Sequence, residues 1–144
     1  MKSFFAFLAD GSVKKQLADK NLSDDLAKDS QERFNDSKLS LRTGRKPKYI
    51  YENVYEALRE AADSVLFLKG YKSFSHEATI SFLQHYKEIS SKEIADFDRM
   101  RVKRNGMKYY GKSCSEKDVE EAINFAEPLM KKLLEIRRSL LNSR

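Results

Sequence analysis

The chain has 144 residues, enough for one domain with a substantial core. Five glycines and two prolines are too few for the many turns of an all-β protein, and abundant Leu, Lys, Ala, Glu and Arg favour helix. There are 28 Lys and Arg against 22 Asp and Glu, a formal +6. A single cysteine, Cys114, excludes an intramolecular disulfide and a cysteine-based zinc site, so a reducing, cytoplasmic setting is the simplest expectation.

Residues 1–18 read as an apolar N-terminal segment that packs on the domain formed by residues 19–144. The run Phe4-Phe5-Ala6-Phe7-Leu8-Ala9 predicts a short helix stopped at Asp10-Gly11. One preceding lysine and no small-residue cleavage site argue against a signal peptide. No apolar run reaches the roughly 18 residues of a membrane helix, so no membrane association is expected.

Asp19 or Ser23 can cap a long helix that runs to about Leu41. Its apolar stripe is thin, so it reads as largely solvated. Gly44 and Arg45-Lys46-Pro47 end it, and Pro47 suits the first turn of the next helix. There Tyr51, Val54, Tyr55, Leu58, Ala61, Ala62, Val65, Leu66 and Leu68 follow at helical steps, the strongest amphipathic pattern in the chain. This is the expected central helix, with Gly70 just past its end. Ser73-Phe74-Ser75 caps a third helix. Ser90 with Glu93 forms a capping box for a fourth, and Ser115 opens a fifth that contains Pro128, where a kink is expected. No strand-like alternation stands out. The fold class predicted is all-α: an up-and-down bundle of four main helices with short additional helices.

Function points to the fourth helix. Arg99–Lys112, RMRVKRNGMKYYGK, holds six Lys or Arg and no Asp or Glu, which accounts for the whole formal excess. Such concentrated charge beside Tyr109 and Tyr110 suits a phosphate-bearing partner, although Lys/Arg-rich helix ends also occur as plain solvated surface. Ile94, Phe97, Arg101, Arg104 and Lys108 fall at steps of 3, 4, 3 and 4, so one face begins apolar and ends cationic. Arginines that continue a core face need partners, and Glu52, Glu56, Glu60 and Asp63 offer them. The stripe therefore reads as a buried Arg–carboxylate network, as a cationic cleft gripping phosphate, or as both. Asn105-Gly106 predicts fraying or a bend in this helix.

Other chemistry is sparse. His76 follows the cap Ser75 and reads first as a surface residue. His85 reads as a partner of a helix C-terminus. Two histidines make no recognisable metal site, and no cofactor motif is present. Cys114 lacks an identifiable base. Arg137, Arg138 and Arg144 read as a solvated basic face.

Three segments, Tyr51–Ala61 (YENVYEALREA), Leu68–Ala78 (LKGYKSFSHEA) and Arg101–Gly111 (RVKRNGMKYYG), together resemble the HEPN family (higher eukaryotes and prokaryotes nucleotide-binding) over roughly residues 19–141. The resemblance implies a helical bundle that forms a homodimer, with the arginine motifs of two subunits meeting in a cleft. Active members are metal-independent ribonucleases, and many are toxins paired with a nucleotidyltransferase antitoxin. Their motif is an arginine, a polar residue and a histidine. Arg104 and Asn105 match, but the histidine positions fall on Tyr109, Tyr110 or Gly111. A tyrosine adenylylated by the partner in one toxin group would fall on Gly111, unless Tyr109 or Tyr110 serves instead. Histidine moves protons near neutrality and tyrosine does not, so the departure weakens the expectation of catalysis.

The leading expectation is phosphate binding, of nucleotide or RNA, through Arg101, Arg104, Asn105, Lys108, Tyr109, Tyr110 and the loop residue His76. One alternative is a ribonuclease using Arg104 with Tyr109 or Tyr110. The other is a structural dimer module whose arginines pair with Glu56, Glu60 or Asp63.

Overall fold

The computed structural model describes residues 1–143. Four long helices form the bundle: α2 (Lys20–Ser40), α3 (Pro47–Leu68), α5 (Ser91–Tyr109) and α6 (Glu116–Asn142). Two short helices, α1 (Phe4–Ala9) and α4 (His76–Phe82), lie at one end, and a 3-10 turn at Leu83–His85 extends α4. The predominantly all-α bundle matches the sequence expectation.

Local signals set the boundaries. Asp19 accepts from the Leu22 amide and starts α2. Pro47 fills the first turn of α3. Full capping boxes start α5 at Ser90 with Glu93, and α6 at Ser115 with Asp118. α6 runs on past Pro128 as one element. The central element is α3, which contacts α2, α4, α5 and α6. Val54, Tyr55, Ala57, Leu58, Ala61, Ala62 and Val65 are wholly inaccessible. Each large apolar side chain buried there stabilises the fold by about 1.5–3 kcal/mol.

Three expectations need correction. First, there are strands: β1 (Val13–Lys15) pairs antiparallel with β2 (Tyr71–Ser73), Val13 opposite Ser73. Three residues each are too few for an alternation to show. The pairing straps the N-terminal segment to the end of α3, and Gly70 makes it possible. Its φ is +82°, and its carbonyl accepts from the Gln16 amide at 2.9 Å. Phe4 and Phe7 enter the core, with the Phe4 ring edge-on to Tyr71 and Phe82.

Second, most of α2 is exposed as expected, but the stripe it buries is largely serine rather than apolar. Its inner face is Ser23, Ala27, Ser30, Phe34, Ser37 and Ser40, all buried. Serine hydroxyls satisfy themselves on backbone carbonyls: Ser30 on Ala27 (2.8 Å), Ser37 on Arg33 (2.9 Å), and Ser23 across the seam on Ser64 (2.7 Å). Small, internally bonded side chains let α2 press closely on the alanines of α3. A scale based on hydrophobicity reads that face as polar.

Third, α5 continues through Asn105-Gly106 to Tyr109. Gly111 (φ +65°) turns the chain back, and the Lys112 amide bonds the Gly106 carbonyl at 3.1 Å. A Cβ at Gly106 would lie 3.1 Å from Cγ of Lys112, so the glycine serves close approach rather than a break.

Candidate functional site

Along α3, Glu52, Glu56, Arg59 and Asp63 form one stripe at steps of 4, 3 and 4. Arg59 binds Glu56 (2.8 and 3.2 Å) and Asp63 (2.5 Å) within the helix. Asp63 also accepts from the Thr79 hydroxyl at 2.8 Å, yet burial outweighs these partners and pushes its carboxyl up to about 6. Burial also works against the Glu56 anion, but Arg59 and Arg104 prevail and hold it below the usual range. Glu60 faces elsewhere. It takes Arg33 of α2 at 2.6 Å, so neither it nor Asp63 meets the arginines of α5.

Of the cationic stripe of α5, Arg104 and Lys108 lie against this acidic row. Arg104 is buried, 8% exposed. Its Nη2 reaches Glu52 and Glu56, both at 3.4 Å, and its Nη1 reaches Asn105 at 3.2 Å. The guanidinium stands 5.6 Å from the Tyr55 ring centroid, a cation–π contact. Its Nε is the one buried side-chain polar atom without a partner among the described residues. Arg101 is half-buried, held by Asp98 at 2.7 Å, with Glu77 at 3.8 Å. Lys108 lies 3.5 Å from Glu52. The Arg–carboxylate network is therefore present around Arg104.

His76 is not the surface residue expected. It is half-buried at the start of α4, and its Nδ1 lies 3.0 Å from the Tyr55 hydroxyl. Burial, then the charges of Arg59, Arg104 and Arg101, hold its pKa below the ordinary 6.5 against the pull of Glu56. The structure thus brings His76 to the arginine cluster through Tyr55. Tyr109 and Tyr110 stand apart: both are well exposed, and no hydrogen bond or ring contact joins either to Arg104 or His76.

The outer side of α5 carries a second feature. A groove of about 600 Å³ is walled by Arg101, Lys103, Asn105, Tyr110 and Lys112, and no carboxylate lines it. Lys103 is steadied by Asp118 at 2.8 Å. Lys112 has no carboxylate within ion-pair distance among the described residues. Arg101 belongs both to this wall and to the inner network. Lys103, Lys112 and Tyr55 were not singled out from the sequence. The first two lay inside the basic stretch, where the turn at Gly111 was the available signal. Tyr55 was hidden among core residues.

The remaining candidates are peripheral. Among the described residues, no three His, Cys, Asp or Glu cluster to hold a metal ion. Burial pushes the Cys114 thiol up, away from reactivity. Arg137 is not a solvated basic residue. It is tied to Asp24, and to the Ser23 hydroxyl at 2.9 Å, across α2 and α6. Arg144 lies outside the described residues. No helix is long and apolar enough to cross a membrane among the described residues. Set against known protein families and curated proteins, the chain matches none.

Proposed function

We propose that this chain is a HEPN-type helical module that binds the phosphates of nucleotide or RNA. The observation that carries the reading is the groove on the outer side of α5, lined by Tyr110 and three cations, of which Lys112 has no ion-pair partner among the described residues while Arg101 and Lys103 hold Asp98 and Asp118. Cations there track a phosphate backbone, and Tyr110 offers a face on which a base stacks. Arg104 has a different part. Held by Glu52 and Glu56 beneath the surface, it shapes the scaffold that presents Arg101. Binding is favoured over cleavage, because neither Tyr109 nor Tyr110 has a hydrogen bond to a histidine or carboxylate among the described residues, and Lys108 meets Tyr109 only over its ring face, 5.7 Å from the centroid. The dimer and the nucleotidyltransferase partner, in a toxin–antitoxin-type system, follow from the same reading, with exposed Val102, Tyr109 and Tyr110 offering the apolar contact.

Fluorescence anisotropy with a labelled single-stranded RNA in EDTA tests the proposal. Three phosphate contacts give a slope of log K against log salt of about −2, and Lys112→Glu flattens it by about 0.7 or more. Tyr110→Ala weakens binding by about 1–3 kcal/mol. Binding that is insensitive to salt or to Lys112→Glu overturns the reading. RNA cut in EDTA by the wild type, and left intact by Tyr109→Phe/Tyr110→Phe, would restore the ribonuclease alternative.

A further inference from the structure

We propose that His76 meets a phosphate oxygen as a neutral hydrogen-bond donor: Tyr55 fixes the imidazole proton on Nε2, and Arg101 supplies the positive charge beside it. The inference rests on the phosphate reading above and extends it to the inner side of α5.

Tyr55 is wholly buried. Its hydroxyl has one hydrogen-bond partner among the described residues, Nδ1 of His76 at 3.0 Å. A buried O–H left without an acceptor is costly, so the hydroxyl donates and the Nδ1 lone pair accepts. A neutral imidazole carries one proton, which then sits on Nε2. Among the described residues Nε2 has no partner, and it is absent from the buried unpartnered atoms, where Arg104 Nε stands alone. It therefore reaches solvent as an open N–H.

Burial first, and then the charges around the ring, keep it neutral. Arg59 of α3, together with Arg101 and Arg104 of α5, disfavours an imidazolium. Glu56 of α3 opposes them, and Glu77 neighbours the ring on its own helix. A ring in this state is not a base: its free lone pair is already occupied by Tyr55. It suits a ligand atom that accepts. Arg101 adds charge and further donors. Its Nε is tied to Asp98 at 2.7 Å, its Nη2 is 3.8 Å from Glu77, and its Nη1 has no partner among the described residues. An oxygen bound by both donors would match a phosphate ester, and Arg101 also walls the groove on the outer side.

His85 provides a control within the same chain. Its Nδ1 lies 2.8 Å from the Phe82 carbonyl. A carbonyl only accepts, so His85 carries its proton on Nδ1, the opposite tautomer.

Nitrogen NMR of the full chain labelled in its histidines, at pH 7.5, reads both rings. His76 is expected to show a bare Nδ1 and a protonated Nε2, and His85 the reverse. Inorganic phosphate should move the His76 Nε2–H signal and leave His85 still. His76→Ala should weaken phosphate binding about tenfold, the worth of one hydrogen bond to a charged oxygen. Tyr55→Phe should let His76 average between tautomers, and His76→Ala keeps the test open if that variant does not fold. A His76 proton on Nδ1, or on both nitrogens, overturns the inference. So does an Nε2 signal unmoved by phosphate in a protein whose groove still binds RNA. A His76 signal moved by phosphate, in a protein that binds no RNA, would sink the groove proposal and leave this one standing.

Discussion

Arg104→Met separates the scaffold role of this arginine from any ligand role. Four favourable contacts disappear, one of them the 3.2 Å hydrogen bond from Nη1 to Asn105, which contributes about 0.5–1 kcal/mol. The two carboxylate contacts are long, 3.4 Å each, and contribute about 0.5–1 kcal/mol apiece. The contact over Tyr55 contributes about 0.5–1 kcal/mol more. Against this, the substitution removes a buried N–H with no partner, which costs the wild type about 1–3 kcal/mol. The carboxylates are not stranded: Glu56 keeps Arg59 at 2.8 Å and Glu52 keeps Lys108 at 3.5 Å. The balance is a loss of about 1 kcal/mol, with an upper limit of about 3 kcal/mol, below the roughly 3–5 kcal/mol of a severed buried pair. Urea unfolding followed by helical circular dichroism measures it. A loss above about 3 kcal/mol would show that Glu52 and Glu56 depend on Arg104, and the reasoning would fail.

The other predictions concern backbone, pH and assembly. Gly70→Ala should destabilise by about 2 kcal/mol or more, because its φ is +82° and the new Cβ would sit 2.7 Å from the Gln16 carbonyl oxygen. Gly111→Ala, with open space around it, should cost only about 1 kcal/mol, so equal melting temperatures would contradict the close approach. The folded His76 pKa lies below 6.5, so its contribution to stability is complete above pH 6.5 and is lost as the pH falls through the folded value. His76→Gln should flatten the stability curve below pH 6.5, and an unchanged curve would count against the buried ring. The proposed dimer should sediment as such, with Val102→Glu shifting it to monomer. A monomeric wild type at tens of micromolar removes the dimer.

The bundle was legible because α3 states its inner face plainly, from Tyr51 to Leu68, and because Ser90 and Ser115 announce their helices. α2 was half-legible. Its cap was visible, but a face of serines that bond to backbone carbonyls looks solvated to any hydrophobicity pattern. The strands were invisible at three residues each. In the site, helical phase placed Arg104 against Glu52 and Glu56, but Arg101 pairs instead with Asp98 of its own helix and with Glu77. It also offered Glu60 and Asp63, but Glu60 turns to Arg33 of α2 and Asp63 to Arg59 and Thr79. His76 was misread for a similar reason. Its partner Tyr55 lies 21 positions away, and only the packing of α4 on α3 joins them.

The β1–β2 strap bears on synthesis. Phe4, Phe5, Phe7 and Leu8 emerge from the ribosome early, but the strand that secures them, Tyr71–Ser73, follows Val13–Lys15 by nearly sixty residues. At about 5–20 residues per second, that segment waits on the order of 3–12 s before its partner exists. During the wait a strongly aromatic stretch is open to chaperones or to other nascent chains. Moving that segment to the C-terminus by circular permutation would abolish the delay without altering the finished bundle.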